Sequence, residues 1–298
     1  MNEPEINRLG VPLILVGGDS RAAAAIAARN AGRRVVSIAR RPGNGERILA
    51  DDYRSVPAGL QFAGATVVNC VGTDRGEPDT LHSLNVAVPI AWAQAAAAGG
   101  ARQFVQISSF SVYGRRARVD AESPIAPASG YGRSKRDAEA ALAQVSGIRV
   151  SVLRVPILVS LASAAGAPDK LAQLAALTSR THMVPAPSRD IERAMISYDA
   201  MARGVELLEA NPRPFAIAAD PQFFSYHLLA QVAREAGLSI ARIPVPGFAS
   251  ALLARAAPSL ADRLFASSVL APEANLLTGH GDYLRLRAII ASHFARAR

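Results

Sequence analysis

Residues 109–135 read SFSVYGRRARVDAESPIAPASGYGRSK. Tyr131 and Lys135 open the segment GYGRSKRDAEAALAQV (130–145), which reads as a helix and places residues four apart on one face. A phenol beside an ammonium suits acid–base chemistry. The cation favours phenolate and draws a pKa of ~10 toward neutrality, where a general base works best. Ser109 closes the apolar run that begins at Phe104, and its hydroxyl suits the same substrate oxygen. A plain i,i+4 pair on a solvated helix face is the competing reading, and the flanking text decides between them.

Working outward, LILV (13–16) reads as a short buried strand, followed by Gly17, Gly18 and the alanine-rich helix 21–31. VVSIA (35–39) is a second strand. This strand–helix–strand unit predicts a parallel sheet and a dinucleotide fold. Further strands are expected at 67–71, 104–108 and 150–155, with a helix at 81–98 between the first two. Asp51 and Asp52 follow a possible helix. After residue 156 the text changes to helix candidates 170–178, 200–209, 224–236 and 248–256, with proline-rich joints at 185–187 and 212–214. The expected architecture is α/β, a doubly wound parallel sheet spanning residues 11–158. A smaller lobe, residues 159–298, covers the carboxyl edge of the sheet and returns some segments to it.

Composition narrows the function. The formal net charge is +9, carried almost wholly by arginine, with aromatics at 5%. The arginines are scattered, which argues against nucleic acid and for an anionic small-molecule ligand. The single Cys70 excludes an intramolecular disulfide and reads as a core residue. The five histidines are scattered, so no metal site is expected. No stretch is long and apolar enough for a signal or membrane segment, and a soluble cytoplasmic protein without membrane partners is the expectation.

FVQISSFSVYG (104–114) and ESPIAPASGYGRSKRDAE (122–139) resemble the extended short-chain dehydrogenase/reductases, the family of nucleotide-sugar epimerases, dehydratases and 4-ketoreductases. The resemblance implies a Rossmann-type sheet and an NAD(P) cofactor. It implies Tyr131 as catalytic acid/base, Lys135 as its partner and Ser109 as the catalytic serine. Its glycine pattern GxxGxxG appears as GGDSRAA, with Gly17 matching, Ser20 at the second glycine and Ala23 at the third. Gly17, Gly18, Ser20, Arg21, Val71, Gly72 and Ser108, with Tyr131 and Lys135, are the implied cofactor contacts. Arg40 and Arg41 follow the second strand where NAD binders carry an acid. Arginine suits a 2′-phosphate, so NADP is favoured over NAD.

The resemblance continues through VLRVPILVS (152–160), MVPAPSRDIERAMISYDAMARGVELL (183–208) and SLADRLFASSVLAPEANLLTG (259–279). It implies a nucleoside-diphosphate sugar as substrate, with hydride transfer most naturally at C4, as in a 4-ketoreductase of polysaccharide synthesis. Arg193 is the implied diphosphate ligand, and Asn85, Ser109, Ser111 and Tyr131 complete the substrate contacts. Family members often dimerise through the helix carrying the Tyr–Lys pair, so a homodimer is implied. A reductase of non-sugar carbonyls and a non-catalytic cofactor sensor remain open alternatives.

Overall fold

The computed structural model describes residues 11–164, 166–189, 191–256 and 266–295. Residues 259–265, the start of the last resembling stretch, lie outside them. In chain order the elements are β1 (Leu13–Val16), α1 (Arg21–Arg29), β2 (Val35–Ala39), β3 (Glu46–Leu49), β4 (Thr66–Asn69), α2 (Pro78–His82), α3 (Val88–Ala98), β5 (Gln103–Ser109), β6 (Arg118–Val119) and α4 (Gly130–Leu142). Then follow β7 (Arg149–Val155), β8 (Ile157–Val159), α5 (Lys170–Thr181), β9 (Met183–Pro187), β10 (Met195–Ser197), α6 (Tyr198–Ala210), β11 (Phe215–Ile217), α7 (Tyr226–Glu235), β12 (Ala241–Val245), α8 (Gly247–Ala256), β13 (Val269–Leu270) and α9 (Leu286–Phe294).

The chain divides into two compact units. The first comprises residues 1–114, 123–155 and 201–218, and the second comprises 115–122, 156–200 and 219–298. The chain thus passes between the units several times.

The first unit holds a seven-stranded sheet in the order β11–β7–β5–β4–β1–β2–β3. Every neighbouring pair is parallel. β1 is buried along its whole length, as a parallel strand covered on both faces must be. The strand order reverses at β1, whose neighbours are β2 and β4, and ligands bind at such a switch point beyond the carboxyl ends. Trp92, Phe104, Ile14 and Leu142 lie in the core of this unit. This is the expected Rossmann-type α/β fold.

Two local expectations fail for physical reasons. Residues 46–49, ahead of Asp51 and Asp52, form strand β3 and not a helix. β3 is an exposed edge strand, so its sequence carries no apolar run, and its pairing with β2 alone defines it. Residues 183–187, expected as a proline-rich joint, form β9 and pair with β12. Each lies at the edge of a two-stranded sheet, where a missing N–H is tolerated.

The second unit contains three two-stranded parallel sheets, β8–β10, β9–β12 and β6–β13. Its core gathers Leu171, Phe224, Leu229, Ile289 and Phe294. Asp220 ties its ends together, accepting from the Leu286 N–H at 2.7 Å where α9 begins. Among the described residues no helix is long and apolar enough to cross a membrane.

A buried ion cluster closes the far end of the first unit. Glu209 accepts two hydrogen bonds from Arg33, at 2.7 and 2.9 Å, and one from Thr66 at 2.6 Å. Burial pushes the Glu209 carboxyl up, but these donors and Arg102 outweigh it and hold it below the usual glutamate range. Its contribution is therefore present above that range and lost as pH falls through the lowered pKa. Removing one partner leaves Arg33 buried and unpaired, so Glu209→Ala should cost about 3–5 kcal/mol in urea unfolding at pH 7. The loss should shrink in acid, and a pH-independent loss would contradict the ionic account.

Candidate active site

The site grows from the end of β5. Ser109 caps the 3-10 turn 110–113, its hydroxyl oxygen accepting from the Ser111 N–H at 3.1 Å and donating to the Ser111 hydroxyl at 3.2 Å. Ser129 then caps α4 by accepting from the Gly132 N–H at 3.0 Å. A Cβ at Gly132 would fall on the Ser111 carbonyl oxygen. Helix and turn pack backbone to backbone there, which only glycine permits.

That approach brings Ser109, Tyr131 and Lys135 together. The Ser109 hydroxyl stands beside the Tyr131 phenol and draws its pKa down. Lys135 Nζ donates to the Ile107 carbonyl at 3.2 Å and lies 5.9 Å from the Tyr131 ring centroid. One turn further on, Glu139 accepts from the Ser108 hydroxyl. Three side chains at successive turns of α4 thus engage residues 107–109 of β5. Arg154 holds Glu139 from β7 through Nη2 and Nε, at 2.7 and 3.1 Å, and donates from Nη1 to the Tyr113 hydroxyl at 2.8 Å.

The electrostatics differ from the expectation that Lys135 draws Tyr131 toward neutrality. Burial raises the Tyr131 pKa, Ser109 pulls it down and Asp74 pushes it up. Burial also lowers Lys135 to about 8, opposed by Glu139 and Cys70. Desolvation outweighs the pairing, and the ammonium is spent on the Ile107 carbonyl. At neutral pH Tyr131 therefore keeps its proton and Lys135 its charge. Cys70 is partly buried beside Lys135, its thiol pushed up to about 12 by burial against a hydrogen bond from Ser20.

The residues toward a dinucleotide are placed by the glycine turn. Gly17 takes φ 92°, and the Gly17 and Gly18 N–H groups both donate to the Ile38 carbonyl, at 3.2 and 2.7 Å. A Cβ at Gly18 would approach the Ser37 Cβ to 2.8 Å. Ser20 sits at φ −84°, and its hydroxyl accepts from the Ala23 N–H at 3.1 Å. Its backbone has no need of glycine, and its side chain folds back as the N-cap of α1. Beside Lys135, a Cβ on Gly72 would lie 3.1 Å from both the Lys135 ammonium and the Asn85 side-chain oxygen. Bare backbone at the start of α1 and beside Lys135 is what a pyrophosphate and a ribose require. The residues present fit a dinucleotide: the glycine turn leaves room for its phosphates at the start of α1, and Lys135 would hold its nicotinamide ribose. Val71 lies buried at the turn after β4, Arg21 is half-buried, and Arg40 and Arg41 are exposed.

Three further candidate residues make defined contacts. Asn85 is fully buried in a π-helical turn, 83–87, where its amide donates to the Thr73 carbonyl and the Ser134 hydroxyl, both at 2.9 Å. Its oxygen accepts from the Thr73 N–H at 2.8 Å. It is buried and holds the loop after β4. The Ser108 hydroxyl donates to Glu139. Arg193, in the second unit, donates through Nε to the Ala266 carbonyl at 2.8 Å, while its backbone pairs with Phe224. Glu139, Arg154, Asp19, Arg47 and Tyr53 were missed. Glu139 stands four residues after Lys135, a spacing visible in sequence; Arg154 and Arg47 become visible only through the sheet.

The NAD dependent epimerase/dehydratase family matches residues 26–184. The chain belongs to this family. No curated protein matches the sequence significantly. Solved structures of similar fold include a putative epimerase from Burkholderia cenocepacia, 18% identical over 98% of this chain and 99% of that one, TM-score 0.74. A UDP-N-acetylglucosamine 4-epimerase from Bacillus cereus is 12% identical over 97% and 100%, TM-score 0.72. A short-chain dehydrogenase/reductase superfamily protein from Agrobacterium tumefaciens, with NAD bound, is 17% identical over 96% of both chains, TM-score 0.72. At such identities the likeness establishes the epimerase/dehydratase fold.

Lys135 and Lys170 are the two lysines of the chain. A 13C-lysine NMR titration should therefore isolate Lys135, with a midpoint near 8. Glu139→Gln, which removes the opposing charge, should lower that midpoint further. A Lys135 midpoint at or above the ordinary lysine value of 10.5 would refute the burial argument.

Proposed function

We propose that the protein is an NAD(P)-dependent oxidoreductase or epimerase acting on a nucleoside-diphosphate sugar, by hydride transfer at a sugar carbon. The observation that carries this reading is the convergence of Ser109, Tyr131 and Lys135 where α4 meets β5, in an epimerase/dehydratase fold. A bound nicotinamide supplies the hydride exchange. Tyr131, protonated at neutral pH, gives its proton to a carbonyl oxygen; in the opposite direction its phenolate takes the proton of a hydroxyl. Ser109, beside the phenol, orients that oxygen. The Lys135 charge stabilises negative charge on the phenol and holds the ribose beside Gly72.

C4 is the favoured carbon, since a 4-epimerase is among the proteins of similar fold. Arg40 and Arg41 favour NADP, and consumption of the reduced cofactor suits a 4-ketoreductase. Tightly kept NAD would suit an epimerase, in which the hydride returns to the opposite face. The neighbour with NAD bound supports that second reading. The Ser109, Tyr131 and Lys135 set argues against a non-catalytic sensor, which has no need of an acid/base pair. Arg193 remains the proposed diphosphate ligand.

Tyr131→Phe should lower turnover by roughly 10²–10⁴-fold while NADPH and NADH affinities, read by fluorescence titration, stay near wild type. Undiminished turnover would overturn the mechanism. Calorimetry with free UDP and dTDP separates the substrate classes. Binding of one supports a nucleotide sugar, and binding of neither points to a reductase of simpler carbonyls.

A further inference from the structure

A cluster beside the glycine turn joins residues from four segments. Asp19 lies in the turn after β1, and one of its oxygens accepts from the Arg40 backbone N–H at 2.8 Å and the Tyr53 hydroxyl at 3.0 Å. The other accepts from Arg47 Nη1 at 3.3 Å. Arg47, on edge strand β3, also donates to the carbonyls of Arg41 at 3.1 Å and Asn44 at 3.2 Å. A Cβ at Gly43 would lie 2.6 Å from the Arg47 guanidinium carbon, so the loop after β2 wraps around that group. The Arg47 and Asp19 side chains are only 21% and 13% exposed. Arg40 is 54% exposed, its Nε 4.0 Å from Asp19 and its guanidinium 5.4 Å above the Tyr53 ring.

The end of β2 is where a doubly wound fold places the adenosine ribose of a dinucleotide. A carboxylate alone at that place would repel a 2′-phosphate and draw Arg40 onto itself. Here a third guanidinium satisfies the carboxylate from beneath the loop. We infer that Arg47, paired with Asp19, is a specificity-positioning residue: it neutralises the carboxylate and leaves Arg40 and Arg41 to receive an anionic 2′ substituent on the adenosine. The inference rests on the NAD(P) reading and deepens it, because Arg40 and Arg41 alone do not account for the acid between them and the turn.

The test is calorimetric binding of 2′,5′-ADP and 5′-AMP to the full chain. Wild type should bind 2′,5′-ADP tighter by roughly tenfold or more, the scale of a charge-assisted contact. Arg47→Met should abolish that preference while changing 5′-AMP affinity by no more than about threefold, because 5′-AMP brings no 2′ anion for the carboxylate to repel. Adding Asp19→Asn to Arg47→Met should restore the preference, because no carboxylate then needs neutralising. Asp19→Asn alone, a milder change, should raise 2′,5′-ADP affinity and leave 5′-AMP unchanged. Equal affinity of wild type for both nucleotides, or a preference that survives Arg47→Met, overturns the inference and leaves the dinucleotide reading intact. Binding of neither nucleotide overturns both.

Discussion

The candidate site depends on one constraint, the fastening of helix α4 to strand β5. Tyr131, Lys135 and Glu139 each reach residues 107–109 of the strand, and Arg154 locks Glu139 from the next strand over. Glu139 and Arg154 are both largely buried, so neither is tolerable alone; each satisfies the charge of the other. The same burial sets the chemistry. It removes water from Lys135 and Tyr131 together, weakening the charge of one and the acidity of the other. A group that must exchange a proton with substrate is therefore held by a frame in which every polar partner is already placed.

The nucleotide half obeys a different constraint, close approach of backbones. Gly17 needs its positive φ, and Gly18 leaves no room for a side chain against Ser37. Ser20 breaks the glycine pattern at no structural cost, because its conformation is extended and its hydroxyl serves the helix. The pattern therefore matters where a Cβ would collide and can relax where it would not. The turn then exports an acid, Asp19, to the end of β2, so that one short loop touches both places where a dinucleotide would be read.

Much of the fold was legible because buried parallel strands write themselves as continuous apolar runs, and β1, β4, β5 and β7 do so. β3 was not legible, since an edge strand with solvent on both faces needs no such run. Asn85 shows the same limit for a side chain. In a regular helix its position allows an exposed face, but the π-helical turn rotates it inward to hold Thr73. Ser108 and Ser109 are adjacent in sequence, yet Ser108 bonds Glu139 while Ser109 caps the turn that follows β5.

By itself the sequence determined the class of the fold and the spacing of Ser109, Tyr131 and Lys135, because hydrophobic period and helical pitch are local properties of the chain. The tertiary structure decided which charges meet. Glu139 finds Arg154, and Asp19 finds Arg47, across strand pairings that no local pattern encodes. It also decided the direction of the shifts at Tyr131 and Lys135. Two side chains four residues apart know their distance, but only the surrounding core fixes how much water they lose.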